Sequence, residues 1–190
     1  MALSLPIDPK ADELLQHSPL ALLIGMILDQ QIPLEHAFTA PYHLVQRLGH
    51  EPDARELADY DLDALTKVFA ERPALHRFPK AMAARVQEAC RLLVDRYDGD
   101  PARVWAEAKD GKDLLKRIGE LPGFGKQKAQ IMVALLGKQY GVRPRGWREA
   151  AGEFGVAGSH RSVADITDDR SLGKVREYKK QLKAAAKAGD

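Results

Sequence analysis

The chain has 190 residues, 45% of them hydrophobic, and its 29 basic residues barely exceed its 27 acidic ones, for a formal net charge of +2. That content fits one packed domain, or two lobes sharing a core, and excludes a polycation, so a surface for a polyanion must come from local clustering of charge. The single cysteine, Cys90, excludes a disulfide framework and a cysteine-rich zinc or iron–sulfur site.

Nearly every periodic segment reads as helix, and none is a convincing strand. Ser18-Pro19 is an N-cap followed by proline at the first helical position. The helix it opens, expected to run to about Gln31 and to be stopped by Pro33, is apolar on most sides and belongs at the centre of the fold. Its apolar run, Leu20 to Leu28, is too short to cross a bilayer. With no signal peptide evident, a cytoplasmic protein is expected. Residues 34–48 form a second helix with Gly49 as its stop and Pro41 as a kink or break. Two short acid-capped helices follow over 53–60 and 61–71. A long one over 80–97 then buries a stripe that includes Met82, Val86 and Leu93, with Cys90 as a small core residue. Asp98-Gly99-Asp100-Pro101 breaks the chain before a short turn carrying Trp105.

Residues 112–121 and 126–138 make a helical hairpin around Leu121-Pro122-Gly123-Phe124-Gly125-Lys126-Gln127-Lys128-Ala129. Glycines on either side of one bulky residue suit a tight turn that another molecule approaches closely. The turn opens into a helix whose first N–H groups lack intrahelical partners and favour an anion. Lys126 and Lys128 add cations where the helix dipole prefers acids, which makes sense if a phosphate is the partner. Gly123, Phe124, Gly125, Lys126 and Lys128 are therefore candidate contacts to a nucleic-acid backbone. Beyond the hairpin, Gly141-Val142-Arg143-Pro144-Arg145-Gly146-Trp147 is basic and irregular, helix resumes over 147–154, and a last helix over 171–188 has Asp168 and Asp169 at its start and lysines at its end. Its alanine- and lysine-rich tail, 183–190, is expected to fray.

The stretch Leu121 to Ala129 resembles the hairpin of the helix-hairpin-helix-GPD superfamily of base-excision DNA glycosylases. Met26-Ile27-Leu28-Asp29-Gln30-Gln31-Ile32 resembles the glutamine-containing helix end that precedes the base pocket in that family, and the resemblance covers about residues 15 to 180. It implies an all-α, two-lobed fold over a single domain, 1–190, with the 112–138 motif gripping DNA in a groove between the lobes. It also implies a double-stranded, damaged DNA partner, a monomer bound to the nucleoid when at work, and no cofactor.

Three departures qualify the mechanism it implies. The family's catalytic aspartate belongs in the window Val142 to Trp147, which holds none and puts Pro144 or Arg145 in its place. The position of the lysine that forms a Schiff base in bifunctional members is Gln127, with Lys126 and Lys128 on either side, and a one-residue offset turns a helical side chain by about 100°. The missing iron–sulfur cysteines fit the alkylation-repair branch. The expected activity is monofunctional release of a damaged base, an alkylated purine first, because a charged base leaves readily. The rival expectation is a non-catalytic binder of damaged or distorted DNA, and a distant third is a protein-interaction module.

Asp29 is the candidate replacement acid, set in an apolar helix beside Gln30 and Gln31, which are candidate contacts to DNA or the opposite base. A carboxylate there must be paired, hydrated or shifted in pKa. The alternative is a structural acid paired with Arg145 or Arg148. Asp165 and Glu149 are weaker substitutes, Asp165 being rather a cap or salt bridge. Arg143, Arg145 and Arg148 are candidate phosphate contacts and Trp147 a candidate wall of the base pocket, against the alternative of a basic loop around one core tryptophan. His160 and Arg161 are further candidate phosphate contacts. The six histidines show no ligand-like spacing, and no metal is expected.

Overall fold

The computed structural model describes residue 5 and residues 8–189, and among them eleven α-helices and two 3₁₀ turns carry the chain, with no strand. The fold is all-α and two-lobed. One lobe holds α1 (Pro9–His17), α2 (Pro19–Leu28), α3 (Leu34–Leu48), α4 (Ala54–Asp59), α5 (Leu62–Ala70) and α6 (Pro79–Tyr97). The other holds α7 (Arg103–Ala106), α8 (Gly111–Gly119), α9 (Lys126–Gln139), α10 (Trp147–Ala150) and α11 (Asp169–Ala188), with 3₁₀ turns at Gly152–Gly155 and Val163–Asp165. The first lobe packs α2 on α3 and α6 on α4 and α5; the second packs α9 on α8, α10 and both 3₁₀ turns.

Each lobe is built around one largely buried helix, and α2 is apolar nearly all round. Every residue of α2 from Leu20 to Leu28 is buried, and so are eight of the fourteen residues of α9. Ser18 caps α2, its hydroxyl accepting from the Ala21 N–H at 3.2 Å, with Pro19 at the first helical position. α6 buries Met82, Ala83, Val86, Cys90 and Leu93 on one face. Cys90 is a core residue, and burial pushes its thiol up to about 12. Polar ties join the lobes: the Tyr140 hydroxyl donates to the Leu15 carbonyl at 2.9 Å, and Arg176 of α11 pairs with Glu35 of α3.

Several boundaries differ from the expectation. α2 ends at Leu28 rather than near Gln31, because Gln31 takes the left-handed conformation (φ 57°) and Gln30 turns back on the helix, its Nε2 donating to the Ile27 carbonyl at 3.1 Å and its N–H to that of Leu28 at 2.7 Å. Pro41 sits inside α3 without dividing it. The helix expected over 147–154 stops at Ala150 and continues as a 3₁₀ turn, since Gly152 has φ 60° and the Arg148 carbonyl lies where a side chain on Gly155 would stand. α1, missed in the sequence, is capped by Asp8, whose carboxylate accepts from the Lys10 N–H at 2.9 Å. α11 ends at Ala188 as expected but begins at Asp169, two residues before its expected start, with Asp168 as its cap.

Candidate active site

The turn between α8 and α9 is shaped from inside. Phe124 is buried in the core and its N–H donates to the Leu121 carbonyl at 3.1 Å. Gly123 has φ 91°, and a side chain there would strike the Arg85 stem at 2.9 Å. Gly125 precedes α9 with no side-chain cap, so the N–H groups of Lys126, Gln127 and Lys128 meet no protein acceptor among the described residues. Gly125, Lys126 and Gln127 are exposed. A tight turn thus presents unpaired backbone donors and an ammonium at the positive end of a buried helix, the arrangement that holds a phosphate oxygen. The expectation that Phe124 itself meets DNA is corrected: its ring anchors the turn from the core side.

That turn forms one wall of a groove of about 930 Å³. The opposite walls come from the end of α2 with Asp29, Gln30 and Gln31, from the start of α3, and from α11 with Leu172, Val175, Arg176, Lys179, Lys180 and Lys183. The sequence separates these segments by up to about a hundred and fifty residues, yet they line one cavity between the lobes.

Asp29 is half-buried in this groove. No hydrogen bond or ion pair of its carboxylate is found among the described residues, and the charges that act on it most are Lys179 and Lys128. Loss of hydration raises its pKa above the ordinary carboxylate value of 3.8, and the two ammonium groups oppose that rise. The position reinforces the effect, because a carboxylate at a helix C-terminus faces the negative end of the dipole. The arginine pairing considered for Asp29 is not found. Arg148 instead donates to the Gly155 carbonyl at 2.7 Å and lies over the Trp147 ring at 4.4 Å. Arg145 is exposed, and its backbone carbonyl accepts from the Gly111 N–H at 2.8 Å.

Lys128 points across the groove, its Nζ donating to the Ile27 carbonyl at 3.2 Å. Burial lowers its pKa while Asp29 raises it. Gln30 is tied down from behind. Its side-chain Nε2 also lies 3.4 Å from the Met82 sulfur, and its carbonyl accepts from His76 Nε2 at 2.9 Å. His76 Nδ1 accepts from the Phe78 N–H at 2.9 Å, which makes the buried ring neutral with its proton on Nε2. Burial lowers its pKa accordingly. Gln31, by contrast, is exposed at the lip.

The structure does not bring the Arg143–Arg148 segment to this groove. Trp147 is buried, and its ring lies so close to Gly137 of α9 that a side chain on that glycine would fall 2.3 Å away. Arg143 donates from Nε to the Gly137 carbonyl at 2.8 Å. Gly137 is eleven residues beyond Lys126, so the cluster lies about 16 Å along α9 from the turn. The expectation that Trp147 walls the pocket is corrected: its indole fills the space between α8, α9 and α10. Arg143, Arg145 and Arg148 decorate that far end rather than the groove. Asp165 is the partner of Lys138 at 2.6 Å and accepts from the Arg161 N–H at 2.8 Å, the salt bridge and local cap expected of it. Arg161 pairs with Glu153, and His160 contacts Lys174 at 3.3 Å.

Lys179, Lys180 and Lys183 were missed as groove residues. Their spacing with Arg176 puts them on one helix face, which the sequence displayed; that this face stands across a groove from the hairpin depends on tertiary packing it did not display. No cluster of metal-ligating side chains occurs among the described residues, and none of their helices is long and apolar enough to cross a membrane.

Residues 24–188 match the family model described as HhH-GPD superfamily base excision DNA repair protein, and the chain belongs to that superfamily. No curated protein and no solved structure matches it.

Proposed function

We propose that this member of a base-excision DNA repair superfamily is a monofunctional DNA N-glycosylase whose reaction takes place in the groove beside Asp29. The glycosidic bond of a stacked nucleotide is inaccessible, so such an enzyme must extrude its target from the duplex. In this reading the free N–H groups of the 126–128 turn and Lys126 hold a backbone phosphate. Gln30 and Gln31 face the DNA at the groove lip, Gln30 held through its carbonyl by His76 and Gln31 exposed. The Asp29 carboxylate stabilises the positive charge that develops on the sugar as the bond to the base breaks, and takes a proton from the water that attacks C1′.

The observation that carries this reading is the state of Asp29. A carboxylate desolvated without a direct partner is a destabilising feature that a purely structural role leaves unexplained. It stands in the same groove as the phosphate-binding turn. Gln127 supports hydrolysis without strand cleavage, since no amine stands where the family's lyase lysine belongs. Among lesions, the sequence favours an alkylated purine; the charge of the groove bears on that choice.

A second reading, a non-catalytic binder of damaged DNA, is favoured by two facts: the 142–147 window has no aspartate, and Arg145 there is exposed and remote from the groove. Single-turnover assays separate the two, with protein in excess over duplexes carrying alkylated, deaminated or oxidised bases and alkali used to reveal abasic sites. Release of any one base supports the glycosylase. Tight binding with no release from the whole panel supports the binder.

A further inference from the structure

The groove is rich in cations and poor in aromatic rings. Lys126, Lys128, Arg176, Lys179, Lys180 and Lys183 line it against two carboxylates, Asp29 and Glu35, and Glu35 is already paired with Arg176. No phenylalanine, tyrosine or tryptophan is among its lining side chains; they are Met26, Ile32, Leu34, Ile131, Leu172 and Val175 on the apolar side. Each of the four arginine–aromatic stacks in the described residues lies elsewhere. A base carrying a positive charge is recognised by the face of an aromatic ring or by unpaired carboxylates. This groove has no ring and a single unpaired acid flanked by two ammonium groups.

We infer that the substrate is an uncharged damaged base that leaves as an anion, a deaminated or oxidised base with an acidic ring N–H or carbonyl edge, and not a cationic alkylated purine. The inference rests on the glycosylase reading of this groove. The two lesion classes make opposite electrostatic demands. When a cationic base departs, it takes the electron pair of the C1′–N bond and becomes neutral, so a nearby ammonium gains nothing and repels the ground state. When an uncharged base departs with that pair it becomes an anion, and an ammonium stabilises the charge as it develops. Water then adds to C1′, its proton passes to Asp29 and from there to the released base anion, leaving a neutral base, an abasic sugar and the carboxylate restored. Lys128 and Lys179, the two cations that act most on Asp29, are the groups placed to stabilise the departing base. Lys179 is the more informative to change, because Lys128 also holds the end of α2.

The test is single-turnover release from duplexes of one sequence carrying 7-methylguanine, 3-methyladenine, uracil, 5-fluorouracil, 5-hydroxyuracil, hypoxanthine or 8-oxoguanine, by the wild-type chain and by Lys179→Met and Lys179→Arg. The expected result is release of at least one uncharged base. If that base is a uracil, its fluoro derivative should leave faster, because fluorine stabilises the anion. Lys179→Met should slow release by roughly tenfold or more, and Lys179→Arg should restore most of the rate. Release confined to the two alkylated purines overturns the inference and leaves the glycosylase reading standing. Release of an uncharged base at the same rate in Lys179→Met overturns the role given to the ammonium. No release from any duplex overturns the glycosylase reading itself, and this inference with it.

Discussion

Lys128 reaches from the second hairpin helix to the last turn of α2, where its ammonium donates to the Ile27 carbonyl at 3.2 Å. The carbonyls at a helix C-terminus lack partners within the helix, and a cation there also complements the dipole. The same bond ties the start of α9 to the end of α2 that carries Asp29, two residues beyond Ile27. Lys128→Met keeps the stem and removes the bond. It is expected to lower stability by about 1–3 kcal/mol in urea unfolding followed by circular dichroism.

Asp29 carries a stability cost whose sign is fixed by the direction of its shift. Its folded pKa lies above 3.8, so in the interval above 3.8 the folded chain binds more protons than the unfolded one, and stability falls as pH rises through that interval. The cost is fully present above the folded pKa and absent below 3.8. Asp29→Asn is therefore expected to be more stable than the wild type at pH 7, with the gap closing as pH falls toward 4. Thermal unfolding of both proteins across that range reads the effect, and equal stabilities at neutral pH would contradict it.

Trp147 belongs to the core of the second lobe. Trp147→Ala is expected to destabilise by about 3–5 kcal/mol, with the base-release rate per folded molecule unchanged. Arg145→Ala, at an exposed position outside the groove, is expected to leave both release and DNA affinity within about twofold. A selective loss of release in either variant, at full folding, would restore the pocket role that the sequence suggested for this segment.

Lys126 at the turn, and Lys180 and Lys183 on α11, stand on facing walls of the groove and carry no ion pair among the described residues. If each meets a phosphate, replacing it lowers the slope of log affinity against log salt by about 0.9. Lys126→Ala should therefore cost about one unit of slope, and Lys180→Gln with Lys183→Gln together about two. Fluorescence anisotropy with duplex DNA between low and physiological salt gives these slopes.

The parts legible in the sequence were those with local causes. Ser18-Pro19, the Gly123-Phe124-Gly125 turn, the stop at Gly49 and the acidic caps at Asp53 and Asp61 each determine structure within a few residues, and each appears where the residues imply. The apolar run of α2 likewise announced a central helix. What the sequence concealed was tertiary. Nothing local indicates that Trp147 would be taken up by Gly137, thereby separating the arginine cluster from the hairpin. Nor does the lysine face of α11 indicate its own partner, since a stripe of that composition is ordinarily a solvated surface. The end of α2 was misplaced for a similar reason. It is set by the turn of Gln30 and Gln31 and by a lysine a hundred and one residues away.

In the glycosylase reading, the Asp29 carboxylate does the chemistry of base release. The most direct measurement compares wild type and Asp29→Asn in single-turnover release of whichever base the wild type removes, alongside the affinity of each for the same duplex. Release by Asp29→Asn is expected to be slower by roughly a hundredfold or more, with affinity held within a few-fold. Release at the wild-type rate would contradict it, and would move the catalytic group away from the end of α2.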